Sequence, residues 1–157
     1  MMRVGIGYDI HRTQVGRPLV LGGVSIASEF GLAGHSDADV VVHALMDALL
    51  GAASLGDIGR HFPPDDERYR DASSLHLLSE VARLLQTREW FVSNADVVIV
   101  AEKPKLSPHI EDMRGRIAGS LAIDRDMVSI KATTNEEVGP EGRGEAISAQ
   151  AVVLLER

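Results

Sequence analysis

The stretch from His35 to Leu50 reads HSDADVVVHALMDALL, and it carries the clearest pattern in the chain. Its apolar residues recur at helical spacing and predict a helix over about residues 37–54 with one buried face. Those apolar residues are Val41, Val42, Leu45, Leu49 and Ala52. Ser36 suits an N-cap, and Asp39 three residues later resembles the acidic partner of a capping box. We therefore expect the fold to be organised around this helix.

The same helix carries a polar stripe of acid, imidazole and acid. Asp39, His43 and Asp47 are spaced by four residues, so their side chains lie in one line along the helix. A solvated helix face also explains such a stripe, and the stripe alone does not decide between a site and a surface. For Asp47 two interpretations stay open: a carboxylate that orients the imidazole of His43, or a plain exposed side chain.

A second polar pair lies in the N-terminal segment GIGYDIH, residues 5–11. Apolar residues alternate with small ones here and predict a strand over residues 3–9. Residues two apart in a strand point the same way, so Asp9 and His11 share one side. Together with His43 they offer two nitrogens and one carboxylate oxygen, which are usual protein ligands of a working zinc site. Two unrelated surface histidines are the alternative.

Size and composition narrow the class of protein. The chain has 157 residues, 45% hydrophobic and 25% charged, which predicts one globular domain over residues 1–157. The net charge of −7 argues against binding to nucleic acid but leaves room for a small phosphorylated ligand. No apolar run reaches the roughly 18 residues of a membrane span, so we expect neither a membrane partner nor a targeting segment. The chain has no cysteine, so a transition metal has to use histidine and carboxylate ligands.

Periodicity and turn residues predict the remaining elements. They are a hairpin around Gly22 and Gly23, helices over about 73–87 and 108–121, strands over 96–101, 127–133 and 147–155, and a glycine-rich loop at 139–144. This order predicts an α+β fold, with a ferredoxin-like mixed sheet and helices packed on one face. In the last strand the small residues Ala149 and Ala151 share a face with Val153. We therefore expect close packing there, with another subunit as a candidate partner.

Three longer motifs stand out from the rest of the sequence. They are GYDIH at residues 7–11, HSDADVVVHALMDALLGAASLGDIG at 35–59 and KATTNEEVGPEGRGE at 131–145. Together they resemble the 2-C-methyl-D-erythritol 2,4-cyclodiphosphate synthase family, and the resemblance runs over about residues 3–155. It implies a cytoplasmic enzyme of the non-mevalonate isoprenoid pathway. It also implies a homotrimer with its sheets around the threefold axis and its active sites between subunits.

The resemblance also implies two metal sites. Asp9, His11 and His43 match the zinc ligands of the family in residue type and motif. Glu136 matches the ligand of a second cation, magnesium or manganese, which the substrate's diphosphate would bridge to the zinc. Glu137 lies beside it, and only the alignment of the motif chooses between the two glutamates.

The resemblance assigns the remaining site residues to catalysis and substrate binding. His35 and Thr134 match residues that stabilise the transition state, and His35 and Ser36 also precede a helix N-terminus, where free N–H groups favour an anion. Residues 57–59 and 62–66 would hold and cover the methylerythritol, while the segment 101–107 would hold the cytosine. The substrate-binding residues implied are Ser36, Asp57, Ile58, Gly59, Phe62, Pro63, Pro64, Asp65, Asp66, Ala101, Pro104, Lys105, Leu106, Ser107, Thr133 and Arg143.

The sequence departs from the family pattern at three positions. Ala38 and Ala146 stand where glycine is usual, and both changes are small. Pro140 stands where an aromatic residue is frequent, beside a trimer-axis cavity that can hold an isoprenoid diphosphate in the family. Proline lacks the flat aromatic surface that would pack on an isoprene chain, so we expect weaker binding of such a ligand here.

The implied reaction is an intramolecular phosphoryl transfer. The 2-phosphate of 4-diphosphocytidyl-2-C-methyl-D-erythritol 2-phosphate attacks its own β-phosphorus, so that CMP leaves and a cyclic diphosphate forms. No serine or threonine has an obvious histidine base beside it in the sequence, which favours positioning and charge neutralisation over a protein nucleophile. Two alternatives remain: a metal-dependent phosphohydrolase, and a non-catalytic trimeric nucleotide-binding module with structural zinc.

Overall fold

The computed structural model describes residues 1–157 and contains seven strands and five α-helices. The strands are β1 Met2–Val15, β2 Leu19–Leu21, β3 Val24–Ile26, β4 Phe30–Leu32, β5 Phe91–Val100, β6 Val128–Thr133 and β7 Ala146–Glu156. The helices are α1 Val40–Ala52, α2 Ile58–His61, α3 Ser74–Thr87, α4 Ile110–Leu121 and α5 Gly139–Gly142. None of the helices is long and apolar enough to cross a membrane.

Five of the strands form one mixed sheet in the order β4–β1–β7–β5–β6. Its neighbours run antiparallel except for β5 and β6, which are parallel and are joined through α4. A parallel pair needs such a crossover connection, whereas the antiparallel strands β2 and β3 form a separate hairpin around Gly22 and Gly23. The α+β class and the mixed sheet predicted from the sequence are confirmed.

Small residues on the inner face of the sheet allow α1 to lie very close to it. Gly7 pairs with Ala151 across β1 and β7, and a Cβ atom at Gly7 would overlap the backbone of Ala44 on α1. Ala149, Ala151 and Val153 are buried within this single chain. The close packing expected at the last strand is confirmed, but its partner is α1 rather than another subunit.

The opposite face of the sheet is apolar and exposed in the single chain. Val4 and Ile6 on β1 are 69% and 71% exposed, and Val152, which pairs with Ile6, is 46% exposed. Tyr8 continues the same row and is 52% exposed. Contiguous exposed apolar surface of this kind is typical of an interaction site.

Asp39, rather than Ser36, caps the central helix. The helix begins at Val40, and the Asp39 carboxylate accepts a hydrogen bond of 3.2 Å from the Val42 N–H. It also accepts hydrogen bonds from the N–H groups of Gly22, at 2.9 Å, and Gly23, at 2.7 Å. The predicted helix start at 37 is therefore wrong. The carboxylate instead holds the β2–β3 turn against the start of α1.

Asp39 is fully buried, and its ionised form depends on these three donors. Burial and the neighbouring charge of Asp37 raise the pKa of Asp39 to about 6, although the three N–H groups oppose that shift. Asp39 thus lies in the interior, between α1 and the β2–β3 turn, and does not contribute to an exposed polar stripe.

We expect Asp39→Ala to lower the free energy of unfolding by about 3 kcal/mol, because it removes a cap and leaves buried N–H groups unpaired. Chemical denaturation of the variant and the wild type measures the difference. Asp66→Ala is the control, since Asp66 caps an exposed 3₁₀ turn by bonding the Arg68 N–H and should cost less than about 1 kcal/mol. Equal destabilisation by the two variants would contradict the role given to Asp39.

Several element boundaries differ from the prediction. β1 continues past residue 9 to Val15, where it pairs with β4, a strand not predicted. The expected turn around Gly59 is the short helix α2, capped by Asp57. The expected glycine-rich loop at 139–144 contains the helical turn α5, with Pro140 in its first turn. Proline is accepted in a first turn because the N–H that it lacks has no helical partner there.

Candidate metal centre and phosphate pocket

Asp9, His11 and His43 converge where β1 meets α1. The Asp9 Oδ2 atom lies 2.9 Å from His11 Nε2 and 3.1 Å from His43 Nδ1. One donor atom from each residue lies within 4.8 Å of the other two. The alternation of β1 directs Asp9 and His11 to one side, and the close approach of α1 brings His43 to them. The structure thus brings together the three residues that the sequence singled out.

The two imidazoles are oriented by the groups on their far sides. His11 Nδ1 lies 2.6 Å from the Ala33 carbonyl, which can only accept, so Nδ1 donates and Nε2 is left for a metal. His43 Nε2 faces two hydroxyls, those of Ser74 at 3.0 Å and Ser36 at 3.2 Å. The nitrogens that face Asp9 are therefore Nε2 of His11 and Nδ1 of His43.

The electrostatics of the cluster favour an ionised aspartate. Burial alone would raise the pKa of Asp9, but the hydrogen bonds and charges of His11 and His43 lower it to about 2. Burial would lower the pKa of His11, whereas its hydrogen bond with Asp9 raises that pKa above the usual value. Two imidazole nitrogens and one carboxylate oxygen that converge in this way form a donor set that fits zinc, with the fourth coordination position left open.

A pocket opens directly over this cluster. His35, Ser36, Ile58 and Gly59 line it together with the three candidate ligands. The His35 Nε2 atom is buried and has no hydrogen-bond partner within the chain. An imidazole nitrogen without a partner at a pocket wall is available to a ligand.

Residues on the far wall of the pocket were only partly expected. Phe62 and Pro64 line it, while the expected residues Pro63, Asp65 and Asp66 do not. Asp57 is also absent from the lining, because its carboxylate caps α2 by accepting from the Arg60 N–H at 3.0 Å. The unpredicted lining residues are Met46, Tyr69 and Leu77. Tyr69 packs edge-on against Phe62 with ring centroids 5.4 Å apart and so supports that wall.

The loop that carries His35 and Ser36 is held by an arginine that the sequence analysis missed. Arg17 donates to the carbonyls of Gly34, at 3.1 Å, and Ser36, at 3.0 Å. Of the N–H groups at the start of α1, that of Val42 donates to the Asp39 carboxylate and is not free for an anion.

Asp47 is neither an orienting partner of His43 nor a free surface residue. Its Oδ1 atom accepts a hydrogen bond of 2.8 Å from the Ile58 N–H. This bond ties α2, which carries two pocket residues, to the middle of α1. Both interpretations left open for Asp47 are therefore wrong, and its role is to position the pocket wall.

We expect Asp47→Ala to raise the KM for the cytidyl substrate implied by the family resemblance about three- to tenfold, since one hydrogen bond to the pocket wall is lost. The zinc content should stay at the wild-type level. Steady-state kinetics and elemental analysis measure the two quantities. Asp47→Asn keeps the accepting oxygen and is the control that should remain near the wild type. Loss of zinc from the alanine variant would return Asp47 to the metal centre.

Most of the remaining predicted site residues line two other cavities of the same chain, but Glu136 lines neither of them, whereas its neighbour Glu137 lines one. One of them includes Thr134 and Arg143. The other contains the whole predicted cytosine segment 101–107 with Thr133 and Thr134. The loop after β6 joins these cavities, because the Glu137 N–H donates to Glu102 Oε1 at 2.8 Å.

Glu136 and Glu137 both have left-handed backbones, with φ of 52° and 62°. Such a conformation is unusual for glutamate, and consecutive examples persist only where surrounding contacts hold them. Such outliers concentrate in functional loops, and the observation applies equally to Glu136 and Glu137, whose side chains are both exposed.

The first pocket lies beside β1, and the cavity of residues 101–107 lies at the ends of β5 and β6. The cavity with Thr134 and Arg143 reaches from there back towards β1, since Thr13 and Ile147 also line it. Ile10, Ser148, Val100 and Thr133 form one row across β1, β7, β5 and β6. Three interstrand steps separate β1 from β6 and amount to about 14 Å. Within one chain, His35 and Thr134 therefore do not line one cavity.

These features define a class: a mixed α+β protein with a candidate metal site, made of one carboxylate and two imidazoles, at the floor of a pocket. The chain belongs to the YgbB family, whose model matches residues 2–156. It is 60% identical over 154 residues to the 2-C-methyl-D-erythritol 2,4-cyclodiphosphate synthase of Synechocystis sp., covering 98% of this chain and 96% of that protein. The family resemblance seen in the sequence motifs is confirmed.

Solved structures show the same similarity. A 2C-methyl-D-erythritol-2,4-cyclodiphosphate synthase with CDP bound superposes with a TM-score of 0.90 at 38% identity, over 98% of this chain and all of that one. The bifunctional IspDF from Campylobacter jejuni superposes with a TM-score of 0.95 at 38% identity over 99% of this chain. The chain spans 42% of the length of that protein.

Proposed function

We propose that this chain converts 4-diphosphocytidyl-2-C-methyl-D-erythritol 2-phosphate into 2-C-methyl-D-erythritol 2,4-cyclodiphosphate with release of CMP, in the cytoplasm. The observation that carries the proposal is the Asp9–His11–His43 cluster beneath the pocket. It lies in a chain that shares 60% of its aligned residues with a named synthase of this product.

The reaction needs folding of the substrate and neutralisation of charge. An oxygen of the 2-phosphate forms a bond to the β-phosphorus, and the bond from that phosphorus to the oxygen bridging it to the cytidyl phosphate breaks. The leaving group is CMP, so atoms and charge balance without water. Holding the two ends together can supply about 7–11 kcal/mol of the barrier.

The residues around the pocket have separate tasks in this scheme. His35 Nε2 has no partner within the chain and can donate to a phosphate oxygen when it carries the proton. The Ser36 hydroxyl lies beside it at the pocket wall. Asp9, His11 and His43 would hold zinc and Glu136 would hold magnesium or manganese; when bound, these cations supply Lewis-acid charge neutralisation at the diphosphate.

The cytidine would occupy the cavity formed by residues 101–107. The cavity formed by residues 101–107 contains Lys105 and backbone groups at its surface, which suits the polar edge of a pyrimidine. A related synthase has been solved with CDP bound, which supports a cytidine nucleotide as the ligand class.

We also propose that the ferredoxin-like sheet assembles as a homotrimer and that each active site combines two subunits. Two observations support this. The outer face of the sheet is apolar and exposed around Val4 and Ile6. Strand β1, which carries Asp9 and His11, lies about 14 Å from β6, which ends at Thr133, so these residues do not line one cavity within a chain. In a closed ring, the first pocket of one subunit meets the cytidine cavity of its neighbour.

A phosphohydrolase is the second candidate, because one observation favours it. Ser36 Oγ, His43 Nε2 and Asp9 Oδ2 form a chain of contacts at 3.2 Å and 3.1 Å that resembles a nucleophile, a base and an acid. Neighbours in the sequence did not indicate a histidine base for any hydroxyl, and the fold brings Ser36 and His43 together. In a hydrolase of this kind water enters the product, whereas in the cyclisation it does not.

The proposed reaction is tested by incubating the protein with the cytidyl substrate and quantifying both products. We expect CMP and the cyclic diphosphate in equal amounts, with turnover lost on chelation of divalent metal and restored on its return. Release of CMP together with a linear phosphate would support the hydrolase.

A further inference from the structure

The buried residue Ser74 lies between His43 and the carboxylate of Asp37. No step of the reaction uses Ser74 or Asp37. Ser74 is the first residue of α3 and is fully buried. Its Oγ atom lies 3.0 Å from His43 Nε2, and its hydroxyl donates to Asp37 Oδ1. The three side chains form one continuous chain of contacts leading away from the metal cluster.

The donors and acceptors of this chain have a fixed order. A hydroxyl has one proton, and here Ser74 gives that proton to the Asp37 carboxylate, which only accepts. Ser74 Oγ must therefore accept from His43, so Nε2 is the nitrogen that carries hydrogen. His43 Nδ1 is then the nitrogen that faces Asp9 Oδ2, 3.1 Å away, and that is left to ligate a metal.

Asp37 is itself held by the starts of two helices. Its Oδ2 atom accepts from the Ser74 N–H at 2.8 Å and its Oδ1 atom accepts from the Asp39 N–H at 3.2 Å. The carboxylate thus ties the first turn of α3 to the residue that caps α1. Its position, and with it that of the Ser74 hydroxyl, is determined by backbone on both sides.

We propose that Ser74 and Asp37 are positioning residues that hold His43 with Nδ1 presented to a metal. The proposal rests on the metal role given above to Asp9, His11 and His43. In this order of bonds His43 Nε2 donates to Ser74, so that nitrogen offers no lone pair to the Ser36 hydroxyl, 3.2 Å away. The same contacts therefore favour a metal ligand and oppose a serine nucleophile at this histidine.

Zinc affinity measured by competition with a chromophoric chelator tests the proposal. We expect Ser74→Ala to bind zinc about 10- to 100-fold more weakly than the wild type, the usual cost of losing a partner that orients a ligand. Ser79→Ala is the matched control: the Ser79 hydroxyl bonds its own helix at Leu75, 3.1 Å away, and does not line the pocket. Its zinc affinity should match the wild type.

The outcomes separate this proposal from the metal site itself. If the wild type binds no zinc, the metal site is wrong. If the wild type binds zinc, His43→Ala does not, and Ser74→Ala binds as tightly as the wild type, the positioning role alone is wrong. Circular dichroism of each variant establishes that the comparison is between folded proteins.

A measurement on the wild type covers the case in which Ser74→Ala does not fold. Proton–nitrogen NMR of the zinc-loaded protein should show the His43 Nε2–H proton in slow exchange, with a nuclear Overhauser effect to the Ser74 β-protons. An effect to the Ser36 β-protons with none to Ser74 would overturn the proposal.

Discussion

His43→Ala is expected to lose zinc and to lower turnover about a thousandfold or more. The variant removes one of three donor atoms that lie within 4.8 Å of one another, and Asp9 and His11 alone form an incomplete site. A loss of roughly 4 kcal/mol in charge neutralisation corresponds to about three orders of magnitude in rate. Elemental analysis and steady-state turnover of the same preparation measure both effects.

Glu136→Ala is the informative comparison for this variant. Glu136 lies in the loop after β6, away from the cluster, and is assigned to the other cation. It should lose most turnover while keeping zinc at the wild-type level. Zinc retained by His43→Ala, or lost from Glu136→Ala, would contradict the assignment of the two metal sites.

Co-expression of two inactive variants is expected to restore activity. His43→Ala damages the first pocket, and Thr134→Ala damages the two cavities that Thr134 lines. Suppose that each active site combines the first pocket of one subunit with the Thr134 cavities of its neighbour. In randomly mixed trimers each contribution is intact about half of the time, so about one site in four is intact. We therefore expect about a quarter of wild-type turnover from the mixed protein.

The control for this experiment pairs two variants with the same damaged set. His43→Ala co-expressed with Asp9→Ala has no intact first pocket in any combination and should stay inactive. Activity from the first pair that does not exceed the sum of its separate components would place all site residues within one chain. It would contradict the shared active site without affecting the metal assignment.

The elements with strong local patterns were predicted well. The hairpin around Gly22, the helix at 74–87 and the last strand lie within a few residues of their predicted bounds. Asp9, His11 and His43 could be grouped because a strand and a helix each carry their own periodicity. Asp9 and His43 are 34 residues apart, and the family resemblance implied that they lie close together. Periodicity alone contains no information on which face of α1 meets β1.

The errors occurred where a residue's partner is distant in sequence. Ser36 is a residue type that often caps helices, but Asp39 caps α1 instead. Its carboxylate also accepts hydrogen bonds from the N–H groups of Gly22 and Gly23 in a separate hairpin. Ala149 and Ala151 predicted close packing without indicating that α1 would provide it. Ser74 gave only the signal of a serine at a helix start, and nothing in that local pattern predicts a bond to His43.

The measurement that tests the central claim most directly is phosphorus NMR of the reaction run in ¹⁸O-labelled water. If the substrate's own phosphate is the nucleophile, water never bonds to phosphorus. The account predicts two mutually coupled phosphorus signals from an unlabelled cyclic diphosphate and an equal amount of unlabelled CMP. Isotope-shifted signals in CMP or in a linear phosphate product would mean hydrolysis and would contradict it.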